Sequence, residues 1–203
     1  MSLGVTKTEE SAYNPVFKKI LEDIPGGVTI ITKEIPSNIY ELGAGTLLKE
    51  SSSTGGLFNP VKIGKPTTGQ TANVSIKLKP PILFKVGEFI GKGGTHTAST
   101  ITSITHTSAT TETVVTGTAV GILTTATLVI RNSAAAVTTA ARTEKYLADS
   151  ILRDTVKVRD TDGTTLKNVN AGAVVRGTVD ESLLPFYVSS DQKTALTARI
   201  RFA

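Results

Sequence analysis

The chain has 203 residues, no cysteine, no tryptophan and a formal net charge of +5. That length holds one sizeable hydrophobic core or two small ones, and the missing thiols exclude disulfides and thiolate metal sites. The mild charge lacks the clustered Lys/Arg tract of nucleic-acid binding, while aromatics at 5% and threonine at roughly one residue in six point to a shallow, strand-rich core.

The N-terminus is polar through Ser11, without the basic start and apolar run of a secretory signal, and no apolar stretch approaches the ~20 residues of a membrane helix. Synthesis in a cytoplasm and no membrane partner are therefore expected. Asn14-Pro15 reads as an N-cap and first helical position, and Val16, Phe17, Ile20, Leu21 and Ile24 follow at helical spacing before Pro25-Gly26-Gly27. Residues 1–27 are thus expected to form an N-terminal arm carrying a short amphipathic helix. Two turns are too few to be stable alone, so the stripe must dock on its own domain or on a partner, and those five residues are the candidate partner-binding set.

Residues 28–203 read as β-rich, either as one unit or as two subdomains, 28–93 and 94–203. Val28 to Ile31 is a short strand ended by Pro36-Ser37-Asn38. Gly45-Thr46-Leu47-Leu48-Lys49, Gly87-Glu88-Phe89-Ile90 and Gly172-Ala173-Val174-Val175-Arg176 repeat a glycine, a spacer and apolar residues, as expected of turns that open into strands. Phe58-Asn59-Pro60 is expected to turn the chain into an alternating strand at Val61-Lys62-Ile63. Val74, Ile76 and Leu78 share one face of a strand closed by Pro80-Pro81. The Thr/Ser-rich block from Thr95 to Val129 favours strands through its β-branched residues and glycines. Around Tyr146-Leu147 either a helical turn or a strand entry fits, and Asp162-Gly163 after Val156-Lys157-Val158 is a hairpin signal.

The last forty residues are the most structured in pattern. Ala173 to Val179 reads as a strand, Asp180 can cap a turn over Glu181 to Leu184 before Pro185, and Ser189 or Ser190 can cap a short helix over Asp191 to Thr197. Arg199-Ile200-Arg201-Phe202 alternates as a closing strand with Ile200 and Phe202 inward. The expected fold is mainly β, barrel-like or sandwich-like, with an N-terminal arm and one or two short helices near the C-terminus.

Motifs that could carry chemistry are sparse. Ile90-Gly91-Lys92-Gly93-Gly94 imitates the glycine loop of KH domains, but the Thr-rich segment after it is a poor helix. It also misses the phosphate-loop spacing by one residue. His96 and His106 are the only histidines, with Glu112 the nearest acid after them, too few ligands for a metal site. Asp160-Thr161-Asp162-Gly163 starts like a calcium loop without its later ligands. Asp180-Glu181 is a carboxylate pair with no nearby histidine. No cofactor, no metal and no catalytic residue are expected, although an enzyme of unknown type acting through Glu181 stays among the alternatives.

The order of strand, Asp-Glu corner with Pro185 and Phe186, short polar helix and closing strand over Thr164 to Ala203 resembles the C-terminal half of the small head-decoration proteins of lambda-like tailed phages. Gly117-Thr118-Ala119-Val120-Gly121-Ile122-Leu123 is similar to the step that precedes that ending in the family, although the spacing between the two is longer here. The resemblance implies a structural capsid decoration or cement protein on the outer surface of the virion head, bound to the major capsid protein, commonly as a homotrimer. A head fibre or surface adhesin, with Thr95 to Thr127 projecting towards a host glycan or cell surface, is the alternative.

Overall fold

A computed structural model describes residues 16–52, 55–70, 74–92, 98–132, 145–159 and 168–203. The chain is mainly β, with one sheet curled into a half-barrel and one α-helix near the C-terminus. Its first strands are β1 (Phe17–Asp23), β2 (Val28–Ile30), β3 (Glu41–Leu42), β4 (Leu47–Glu50) and β5 (Leu57–Pro60). There follow β6 (Ile63–Gly64), β7 (Ser75–Leu78), β8 (Phe89–Lys92), β9 (Ala98–Ser108), β10 (Thr111–Thr116) and β11 (Val129–Arg131). The C-terminal part holds β12 (Ser150–Leu152), β13 (Val156–Lys157), β14 (Val169–Ala171), β15 (Ala173–Val179), α1 (Ser190–Leu196) and β16 (Ile200–Phe202).

Among the described residues, eight strands form a sheet in the order β1-β15-β12-β4-β5-β2-β14, with β16 running parallel to β15. Six form a second sheet in the order β6-β11-β8-β9-β10-β7, and β3 pairs with β13. The second sheet is drawn from residues 63–131, nested between the strands of the first. A boundary at residue 93 would separate β8 from β9, which are paired antiparallel from Phe89 opposite Thr100 to Gly91 opposite Ala98.

The apolar core falls into three clusters. One lies within the second sheet around Ile76, Phe84, Ile90, Ile101 and Val114. Another gathers Ile30, Ile35, Leu42, Leu48, Leu83 and Leu152. The third brings Phe17, Leu47, Val174, Val179 and Ile200 of the first sheet against Ile63 and Ile130 of the second, so the two sheets share buried apolar surface.

The helix expected over residues 14–24 is a strand. Of that segment Asn14 and Pro15 lie outside the described residues, and Phe17–Asp23 pairs antiparallel with β15, Phe17 opposite Val179 and Asp23 opposite Val174. A two-turn helix forms few internal bonds, whereas this pairing supplies a ladder and buries Val16 and Phe17. Three register irregularities along β1 break the period of two, so its apolar positions imitate helical spacing. Both ends are fastened: Asp180 donates its N–H to the Val16 carbonyl at 2.8 Å and Ile24 to Ala173 at 2.8 Å.

A second correction concerns residues 58–63. Phe58-Asn59-Pro60 belongs to β5, between β4 and β2, with Pro60 as its last residue, where the missing N–H is tolerated. Val61 and Lys62 then cross from the first sheet to the second, and every residue from 58 to 63 is buried. Alternation fails there because both sides of the chain face protein.

Several other expectations agree with the structure, although Val74 precedes β7 and is 46% exposed, off the buried face of Ile76 and Leu78. The three glycine-led repeats each open a strand, β4, β8 and β15, and Gly45 has φ +90° where its missing Cβ would sit 2.8 Å from Leu184 Cδ2. Tyr146 and Leu147 lead into β12 as a strand entry. Val156-Lys157-Val158 pairs through β13 with β3, and the Asp162-Gly163 turn lies outside the described residues. Asp180 caps a 3-10 turn over Glu181–Leu183 by accepting the Ser182 N–H, and Ser189 caps α1 by accepting that of Gln192 at 3.2 Å.

In β16 Ile200 is 2% exposed, Arg201 is exposed and Phe202 is half-buried. Ile200→Ala should then cost about 2–5 kcal/mol, Phe202→Ala less than a fully buried phenylalanine, and Arg201→Ala within about 0.5 kcal/mol of zero. Urea unfolding of the three variants checks the register, and a larger loss for Arg201→Ala than for Ile200→Ala would reverse it.

Candidate partner-binding edge and the charged junction between the sheets

The five candidate residues do not act together. Val16 and Phe17 are spent on the chain's own core, and Ile24 is half-buried against the second apolar cluster. Ile20 and Leu21 are 43% and 58% exposed. They lie on β1, whose one strand partner among the described residues is β15, so its other edge carries backbone groups without a ladder partner. Gly177 makes this pairing close: a Cβ there would stand 2.5 Å from the Lys19 carbonyl oxygen.

Beside this edge lies the C-terminal corner. Lys18 reaches Asp180 at 3.2 Å, and hydrogen bonds from Ser182, then from Lys18, hold the Asp180 carboxyl below its usual range. Glu181 is paired with Lys193 of α1 at 2.7 Å, which gives that carboxylate a structural partner. A cleft of about 820 Å³ runs between the corner and the second sheet, walled by Pro80, Pro81, Leu128, Pro185, Phe186 and Tyr187. Gln192, unremarkable as a polar residue in a polar helix, is fully buried and pins α1 to the segment leading into β12. Its Oε1 accepts the Ala148 N–H at 2.7 Å and its Nε2 donates to the Tyr146 carbonyl at 2.6 Å.

Of the other singled-out residues, Gly91 and Lys92 lie within β8, whereas Gly93, Gly94, His96 and residues 160–163 are outside the described set. His106 faces Glu112 across the β9–β10 pair, with Nδ1 3.4 Å from Oε1. Among the described residues no group of three or more histidine or acidic side chains is placed to hold a metal.

Away from this edge, four charged side chains meet where the sheets join. Lys62, with its side chain fully buried, donates to Glu88 at 2.6 Å and to the Glu34 carbonyl oxygen. Arg131 donates to Glu34 at 2.7 Å and lies 3.1 Å from Glu88. Its guanidinium also sits over the Tyr146 ring, 5.4 Å from the centroid. Burial alone would raise the Glu34 carboxyl, but Arg131, helped by Lys62 and Lys145, brings it below its ordinary value. Burial lowers the Lys62 ammonium to about 8, against the opposing pull of Glu88. Lysine at an apparently alternating strand position gave no sign of this burial; the acids that meet it are 28 and 26 residues away.

No protein-family model, characterised protein or solved structure matches the chain.

The junction has a pH signature. In the unfolded chain Lys62 titrates near 10.5 and in the folded one near 8, so between these values the unfolded state holds the proton that the folded state lacks. Stability attributable to Lys62 therefore rises with pH across that window, by on the order of 3 kcal/mol at ~1.4 kcal/mol per unit. Urea unfolding of the natural chain and of Lys62→Met should show a difference that shifts in favour of the natural chain from pH 8 to pH 10.5. A constant difference would contradict the assignment. Glu88→Gln, which leaves two buried cations against one carboxylate, should cost about 3–5 kcal/mol at pH 7.

Proposed function

We propose that this chain is a structural protein of a tailed-phage head, a decoration or cement protein that binds the outer surface of the capsid and stabilises contacts between subunits of the major capsid protein. The observation that carries this reading is the edge of β1. A strand fastened firmly to its own sheet on one side has, among the described residues, no strand partner on the other, with Ile20 and Leu21 exposed along it. Such an edge suits strand addition by a partner, in which main-chain bonds provide affinity and neighbouring side chains provide selectivity. The C-terminal order of β15, Asp180 corner, α1 and β16 agrees with the pattern on which the resemblance to head-decoration proteins rests. In this reading the protein acts as a homo-oligomer, a trimer by the same resemblance, and works without a cofactor.

A surface adhesin has one observation of its own. Along the β9 arm and the turn of the β9–β10 hairpin, Thr102, Ser103 and every residue from Thr105 to Thr110 are exposed, while Val114 on the β10 arm stays in the core. That ribbon is the natural contact surface if the protein faces a host cell and not a capsid.

Co-sedimentation with undecorated heads of a tailed phage separates these readings. The natural chain should bind heads, and Ile20→Asp combined with Leu21→Asp should weaken binding at least about tenfold, ~1.4 kcal/mol, while leaving the thermal transition nearly in place. Thr107→Lys on the hairpin should leave head binding unchanged. Undiminished binding by the double variant removes the β1 edge from the mechanism. Failure of the natural chain to bind heads, with retention on cells that Thr107→Lys disrupts, favours the adhesin.

A further inference from the structure

A pocket of about 230 Å³ opens beside the β9–β10 hairpin, with Ile82, Phe84, Val86 and Ile104 among its apolar walls and Glu112 and His106 on its lining. The Glu112 side chain is only 6% exposed, whereas His106 is 54% exposed. A carboxylate withdrawn so far from water ordinarily accepts several hydrogen bonds. Here Oε1 has the His106 Nδ1 at 3.4 Å and Oε2 has no hydrogen-bond partner. Lys85, which also lines the pocket, directs its ammonium to the Lys33 carbonyl at 2.7 Å and its backbone N–H to Glu88 at 3.0 Å. The pocket thus combines apolar walls with a buried acceptor that the chain itself leaves half-satisfied.

An anion would be repelled by Glu112, and a plain hydrocarbon would leave its oxygen unpaired. An alkylammonium group complements both features, with an apolar stem and three N–H donors at one end. We propose that this pocket binds an alkylammonium group, the stem packed on Ile82, Phe84, Val86 and Ile104 and the ammonium held by Glu112. Burial pushes the Glu112 carboxyl above its ordinary range and His106 acts against that shift, so a bound cation would reinforce what His106 begins. The chemistry has two sources: a lysine side chain on a docked protein, or a free small amine.

The test uses the full-length chain, labelled with ¹⁵N and titrated with n-pentylamine, with n-pentanol as the uncharged control. Saturable shifts of the Phe84, Val86, Ile104 and Glu112 amides are expected, with pentylamine preferred over pentanol by at least about tenfold. Glu112→Gln should abolish that preference. Should Glu112→Gln prevent folding, Val86→Trp supplies the same readout, because Val86 is 60% exposed on the pocket lining and a larger side chain there blocks entry. A capped lysine, Nα-acetyl-lysine methylamide, that binds as well as pentylamine assigns the pocket to a protein side chain; its exclusion assigns a small free amine. No saturable shift, equal affinity for pentanol, or a preference that survives Glu112→Gln overturns the proposal.

Discussion

Two acids and two bases, withdrawn from water where the sheets join, hold the rest of the structure in one arrangement. Glu34 follows β2 of the first sheet, Lys62 lies on the crossing between sheets, Glu88 immediately precedes β8 and Arg131 ends β11 in the second. Their charges cancel, and each cation meets both chains of contact: Lys62 touches Glu88 and the Glu34 backbone, Arg131 both carboxylates. Apolar contact through Ile63 and Ile130 would tolerate sliding of one sheet on the other, because burial is nearly indifferent to direction. Buried ions are not indifferent. Displacing one by a few ångströms leaves a desolvated charge unpaired, which costs several kcal/mol even though the complete cluster stabilises little more than a well-packed apolar one. The network is therefore better understood as fixing orientation than as adding stability.

The surface proposed to meet a partner rests on the same join between the sheets. The third apolar cluster, which joins the sheets, also receives Val16, Phe17, Val179 and Ile200, so β1, β15 and β16 rest on the same base. Gly177 lets β1 approach β15 closely, and the Asp180 corner ties Lys18 back over the end of the strand. An edge held this way keeps its shape in the free protein, and strand addition then costs mainly the ordering of the incoming segment.

How far this could be read in advance depended on the range of the forces involved. The last thirty residues were legible because local chemistry determines them: Asp180 and Ser189 bond to N–H groups two and three residues away, and Ile200 and Arg201 alternate about a closing strand. Val16 to Ile24 was misread because its spacing satisfied a helix, while the pairing with β15 that decides its conformation lies some 150 residues on, beyond any local signal. The burial of Lys62 in an alternating strand pattern is hidden for the same reason: its partners come from distant segments. The opposition of His106 and Glu112 sits between these cases. The acid was noticeable as the nearest one after the histidine, but only a hairpin turning at Ala109 and Thr110 places the two face to face.

The exposed edge of β1 carries its own restraint. A long, flat, apolar edge would pair with copies of itself, and natural edges avoid this with charge and with irregular register. β1 has both: Lys18, Lys19 and Glu22 surround Ile20 and Leu21, and the register breaks between Phe17 and Lys19, between Ile20 and Glu22, and again before Asp23. A second β1 laid antiparallel on the first would have to match those breaks while bringing lysines close to one another, and like charges opposed across strands are unfavourable. A partner strand with acidic positions opposite Lys18 and Lys19 meets neither obstacle. If the proposed strand addition occurs, the features that discourage self-association would favour an acidic and locally irregular partner strand, and they follow from the same bulged pairing that gives the segment its helical spacing.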